Sequence, residues 1–251
     1  MEIRTTTTYE IIEVCLLAGK IMLRSGAETY RVEDTMTRIA ASYGISSSHS
    51  FVTPTGIIFS MDGNDPTKLI RISDRSTDLH KVTIVNSVSR QISNGELTAK
   101  EALVKLKEIE SSNYAFPIWL QIFAAFIASG CFMIMYQGLW TDFLVACLAG
   151  GLGFSALVYL HKLLEIKFFA EFIASLIIGT FAFIAVSYNW GTYVDKIIIG
   201  AVMPLVPGLL ITNAVRDLIT GHLVSGIAKG AEAFLTASAI GSGIAVALIF
   251  L

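Results

Sequence analysis

Residues 203–221 read MPLVPGLLITNAVRDLITG. The stretch lies inside an apolar run, yet it holds Pro204 and Pro207, three apart, and then Gly208. Each proline removes a backbone N–H, so a helix here is expected to leave the Gly200 and Met203 carbonyls without their helical partners. In lipid such a break survives only where it faces protein or a water-filled cavity. Asn213, Arg216 and Asp217 follow within one helical stretch. A broken apolar helix with polar groups beside it is a sequence pointer to a transporter's binding site. A simple proline kink would be the structural alternative.

The rest of the chain divides around this stretch. Its 251 residues are 54% hydrophobic and only 15% charged, where a soluble domain carries about 25% charge. Residues 1–113 hold 13 of the 18 Lys/Arg and 14 of the 20 Asp/Glu. The expected fold class is therefore a membrane protein: a cytoplasmic N-terminal α+β domain over residues 1–113, then a five-helix transmembrane bundle over 114–251. A net charge of −2 argues against a nucleic-acid partner. Cys15, Cys131 and Cys147 form no CxxC and read as free thiols. His49, His80, His161 and His222 lack ligand spacing, so no metal and no cofactor are expected. His49 beside Ser50 has no GxSxG context, and no catalytic residue is assigned.

Three capping boxes predict helix starts in the polar half: Thr7 with Glu10, Ser25 with Glu28, and Thr98 with Glu101. Gly44 and Gly95 fit as helix stops. A further helix over about 76–94 presents Val82, Val85, Val88 and Ile92 as one stripe. Between them, 51–53, 56–61 and 68–73 read as antiparallel strands, the last two joined by a hairpin loop at 62–66. Charge is dense at 26–33 and 71–81. There Glu28, Arg31, Arg75 and Asp78 form either a functional cluster or a solvated face.

Five apolar runs follow, at about 117–137, 142–160, 168–188, 194–215 and 227–251, each near the ~20 residues that cross hydrocarbon. Positive charge in alternate connections (Lys162 and Lys167, then Arg216 and Lys229) predicts a cytoplasmic N-terminus and a C-terminus on the far side. Ala233, Ala237, Gly241 and Ala245 recur every four positions on the last run, a face for close helix packing within the chain or with a partner. Glu171 and Glu232 sit near span ends, as functional carboxylates or as snorkelling ones.

The segments LLAGKIMLRSGAETYRVEDTMTRIAASYG (16–44), FVTPTGIIFSMDG (51–63) and RISDRSTDLHKVTIVNSVSRQI (71–92) resemble the N-terminal domain of the threonine/serine exporter family. MPLVPG (203–208), NAVRDLITGH (213–222) and GIAKGAEAFL (226–235) resemble its membrane half. The resemblance implies a secondary exporter of small polar metabolites, either threonine and serine or a dicarboxylate such as succinate. It implies the longer subunit of a two-component form in the bacterial cytoplasmic membrane, with a short all-membrane partner and room for a higher oligomer. Carried residue by residue, it marks Pro204, Pro207, Gly208, Asn213, Arg216 and Asp217 in the membrane half. In the polar half it marks Glu28, Arg31, Thr53, Thr55, Arg75 and Asp78. On this reading the helix start and freed carbonyls at the break frame a carboxylate site, and Glu171, Asp217 or Glu232 carries protons. A membrane-anchored hydrolase-like or ligand-sensing domain without transport is the competing reading.

Overall fold

The structure, a computed structural model, describes residues 2–61, 67–163, 166 and 168–250, with side chains from residue 8 onward. The hairpin loop expected at 62–66 and Lys167 lie outside the described residues. Contacts divide the chain into two compact units. One holds residues 1–115 together with 211–230, and the other holds 116–210 together with 231–251. The sequence boundary at 113/114 had grouped 211–230 with the apolar runs.

In the first unit, α1 (Glu2–Arg24) and α2 (Thr29–Ser42) precede β1 (Ser48–Thr53), β2 (Gly56–Met61) and β3 (Lys68–Arg71), and α3 (Leu79–Ser93) and α4 (Ala99–Ser111) follow. The strands form one antiparallel sheet in the order β1-β2-β3. On β2, Ile57, Phe59 and Met61 turn inward, and Ile58 turns out between them. They meet Val14, Ala18 and Met22 of α1, Val32, Met36 and Ile39 of α2, Val85 and Ile92 of α3, and Ala102 and Leu106 of α4 in one buried core. Spacings of three and four give each helix its apolar face.

Two of the three expected capping boxes do not form. Helix α1 already runs from Glu2, so Thr7 is inside a helix. Helix α2 begins at Thr29, and its N-cap Glu28 makes no side-chain cap bond. The Thr98–Glu101 box is complete. Asp78 caps α3 by accepting from the Lys81 N–H at 3.1 Å, so that helix starts later than the expected 76. Gly44 and Gly95 end their helices at φ +84° and +74°, left-handed values that a side chain disfavours.

The second unit contains α5 (Ile118–Met135), α6 (Phe143–Leu163), α7 (Phe169–Ser187) and α8 (Val194–Val202), with the greater part of α10 (Leu223–Phe250). Small residues set the packing distance. Gly200 of α8 lies against the Ser129 carbonyl and Met133 backbone of α5. Gly243 of α10 lies against the Phe172 carbonyl of α7, and Gly179 against Ala247. On the four-residue stripe expected to pack, Ala233 is buried, but Ala237, Gly241 and Ala245 are exposed. Asp142 is fully buried and accepts from the Thr192 and Tyr193 N–H groups at 2.8 and 3.0 Å, fixing the turn before α8.

Helix α9 (Gly208–Ile219) follows α8 after a 3-10 turn at Met203–Leu205. The two helices meet at 64° across the break. Among the described residues, four helices are long and apolar enough to cross a membrane, and five if this bent pair counts as one span. The carbonyls expected to be left open are both satisfied. Gly200 O accepts from the Met203 N–H and Met203 O from the Val206 N–H, the latter at 3.2 Å. Tightening to three-residue bonds compensates for the missing proline N–H groups.

Candidate functional site

The polar residues after the break meet the loop between α1 and α2, all within the first unit. Asn213 Nδ2 donates to the Gly26 carbonyl at 2.9 Å. Arg216 Nη1 pairs with Glu28 Oε1, and Arg31 Nε holds the other oxygen of Glu28 at 3.1 Å. Asp217 is fully buried. Its Oδ1 accepts from the Thr29 N–H at 3.0 Å, and its Oδ2 accepts from the Thr29 hydroxyl at 2.9 Å. Lys229 Nζ donates to Asp217 Oδ2 at 2.7 Å and to Thr29 Oγ1 at 3.2 Å, and the lysine is only 4% exposed. Arg216 and Asp217 point to different partners because adjacent helical residues face different directions.

Local structure explains why these groups converge. Helix α2 starts at Thr29, so its first N–H is directed at Asp217 with the positive end of the helix dipole behind it. Helix α9 ends at Ile219, and Gly221 turns the chain into α10. Asp217 and Lys229 therefore face each other from two legs of one hairpin. A second pair extends the contact. His222 Nε2 lies 3.0 Å from Glu33 Oε2, and Glu33 Oε1 accepts from the Val52 N–H at 2.9 Å. Ser225 Oγ donates to the Val52 carbonyl at 3.0 Å.

Of the expected site residues, Glu28, Arg31, Asn213, Arg216 and Asp217 thus share one network. The structure disperses the others. Thr53 and Thr55 sit at the β1–β2 turn, where with Phe51 and Arg71 they line a cleft of about 450 Å³. Asp78 is the α3 cap, and Arg75 is exposed. Pro204 lies in the 3-10 turn, with Pro207 and Gly208 at the start of α9. In the second unit, Glu171 pairs with His161 at 3.3 Å, and its Oε2 is buried without a hydrogen-bond partner among the described residues. Glu232 is half-buried on α10.

Thr29, Glu33, His222, Ser225 and Lys229 escaped the sequence reading. Lys229 had entered it only as a loop charge for orientation. A signal was present in its place within GIAKGAEAFL (226–235), where one lysine interrupts a run of small residues. No group of three or more His, Cys, Asp or Glu among the described residues could hold a metal ion.

The threonine/serine exporter (ThrE) family profile matches residues 13–251. A Klebsiella aerogenes protein named "Probable succinate transporter subunit YjjP" is 26% identical over 95% of this chain and 93% of its own length. The Escherichia coli protein of the same name is 26% identical, covering 98% of this chain and 96% of its own. A Mycobacterium tuberculosis "Probable threonine/serine exporter" is 22% identical over 96% of this chain but only 46% of its own length. No solved structure matches the chain.

Proposed function

The chain belongs to the threonine/serine exporter family, and on that premise we propose that it is one subunit of a secondary exporter of small carboxylate metabolites. Relatives carry exporter and transporter names rather than enzyme names. A full-length relative called a subunit supports a second component, which we take to be a short all-membrane partner. Exposed Ala237, Gly241 and Ala245 on α10 would let such a helix approach closely. The family and the apolar helices support a membrane location. Within it we assign the bacterial cytoplasmic membrane, a cytoplasmic N-terminus and a C-terminus on the opposite side, following Lys162, Arg216 and Lys229.

The observation that carries this reading is the set of contacts joining Asn213, Arg216 and Asp217 to residues 26–31, buried at Asn213 and Asp217 and half-exposed at Arg216. A mere anchor has no use for a buried ion pair between Asp217, on the helix that follows a double-proline break, and Lys229 on the next helix. Buried ion pairs contribute little net stability, and switching is among their attested uses. Pro204, Pro207 and Gly208 shape the break that starts α9, and α9 presents Asn213, Arg216 and Asp217 as binding or gating groups. The substrate is threonine, serine or a dicarboxylate such as succinate. Glu171 and Glu232 are further sites for substrate or protons.

Efflux from preloaded cells tests the proposal, with this chain alone, the candidate partner alone, and both together. Threonine, serine and succinate are followed in parallel. Efflux only with both proteins present is the expected result. No efflux in any combination, with both proteins verified in the membrane, overturns the reading.

A further inference from the structure

Asp217 does not contact Lys229 alone: an N–H, a hydroxyl and an ammonium converge on its carboxylate. We propose that Lys229 and Thr29 form a carboxylate receptor, that Asp217 fills it in this structure, and that the exported carboxylate enters by displacing Asp217. The inference rests on the exporter reading above and adds to it a residue, Lys229, and an exchange.

Three observations carry it. The receptor is recognisable because an anion occupies it. The start of α2 supplies a helix N-terminal N–H, Thr29 adds its hydroxyl, and Lys229 brings a full charge at 2.7 Å. These donors recognise any carboxylate, whether an aspartate side chain or a free metabolite.

The second observation is burial. With Asp217 fully buried and Lys229 at 4% exposure, both ions have lost their water. Apolar residues of similar volume would hold the α9–α10 hairpin to α2 about as well. A charged pair offers what an apolar pair lacks, namely a position that another carboxylate can take.

The third is charge. Among the described residues, the carboxylates paired with Arg31, Arg216 and Lys229 are those of Glu28 and Asp217. Glu33 is engaged by the Val52 N–H and His222. Three cations against two carboxylates leave this set with one positive charge in excess, which favours entry of an anion.

The test uses the purified full chain with its partner subunit, and labelled succinate or threonine as the probe. Asp217→Asn removes the resident competitor's charge and is expected to tighten binding of at least one probe by about tenfold or more. Lys229→Met is expected to abolish binding. An Asp217→Leu/Lys229→Met double variant removes both charges together, leaves the Thr29 N–H and hydroxyl without their carboxylate, and is expected to fold with a lowered melting midpoint and to bind neither probe. Equal affinity in wild type and Asp217→Asn overturns the receptor, as does a double variant that binds like wild type. Because the double variant avoids an unpaired buried charge, the question stays answerable if Asp217→Asn misfolds. If wild type exports a carboxylate while these variants leave affinity unchanged, only the receptor falls. If correctly folded wild type neither binds nor exports a carboxylate, the exporter reading falls and the receptor with it.

Discussion

Gly200→Ala is the sharpest test of how the second unit packs. A methyl group at residue 200 of α8 would sit 2.6 Å from the Ser129 carbonyl oxygen and 2.8 Å from Met133 Cα of α5. Both are backbone atoms and cannot rotate away. Reaching an ordinary contact of about 3.4 Å needs a retreat of about 0.8 Å in an interior packed as densely as a crystal. Overpacking of this kind costs about 1–3 kcal/mol, which lowers the folded-to-unfolded ratio about 5- to 150-fold. Gly241→Ala is the matched control, since a methyl there meets nothing within 4 Å. The assay is thermal melting of the purified protein in detergent, with limited proteolysis as a second reading. Gly200→Ala should melt several degrees below wild type, and Gly241→Ala should melt at or above it, because alanine suits a helix better than glycine. Equal melting of both variants would refute the close approach of α5 and α8.

Three further outcomes follow from particular contacts. Asp142→Ala strands the Thr192 and Tyr193 N–H groups and should cost about 1–3 kcal/mol in the same melting assay; an unchanged midpoint would remove the turn's dependence on that carboxylate. Thr98→Ala should cost about 1 kcal/mol by removing the α4 cap. The Thr98 N–H and hydroxyl hold the Glu101 carboxyl below its ordinary 4.5, so its contribution is present above that pH and fades as pH falls through the lower folded value. The advantage of wild type over Glu101→Gln should therefore vanish in acid, and an advantage that persists there argues against the box. Burial pushes the Cys15 thiol up to about 12, so it stays un-ionised in the folded protein at pH 8. Alkylation located by mass spectrometry should find Cys15 protected until denaturant is added, and rapid labelling of the native protein would contradict the α1 packing.

Local signals in the sequence held where no longer helix or distant partner overrode them. Thr98 and Glu101 are three apart and form their box. The valine stripe of α3 is buried as its spacing required. The Ser25–Glu28 box had the same form but failed, because α2 begins at Thr29 and Glu28 takes the N-cap place, with its carboxylate paired to Arg216, 188 residues away. The break at 203–208 was legible, since proline chemistry is local. The fate of its carbonyls was not, because a switch to three-residue bonds costs no sequence change. Asn213, Arg216 and Asp217 stood out as polar groups in an apolar run, while Thr29 looked like an ordinary helix residue and Lys229 like a flanking charge. Those two acquire their roles only from a pairing between distant segments that no periodicity encodes.

The separation of Thr29 from Asp217 is also an interval in time. They lie 188 residues apart, and a ribosome adding about 5–20 residues per second needs about 10–40 s to make the second after the first. Throughout that interval α1 and α2 exist without the hairpin that covers Glu28 and Thr29. A fragment ending at residue 113 would lack the residues that pair with Glu28 and Thr29. The first unit is therefore begun with α1 and completed only after residues 211–230 have been made, and its integrity reports that synthesis has passed Lys229.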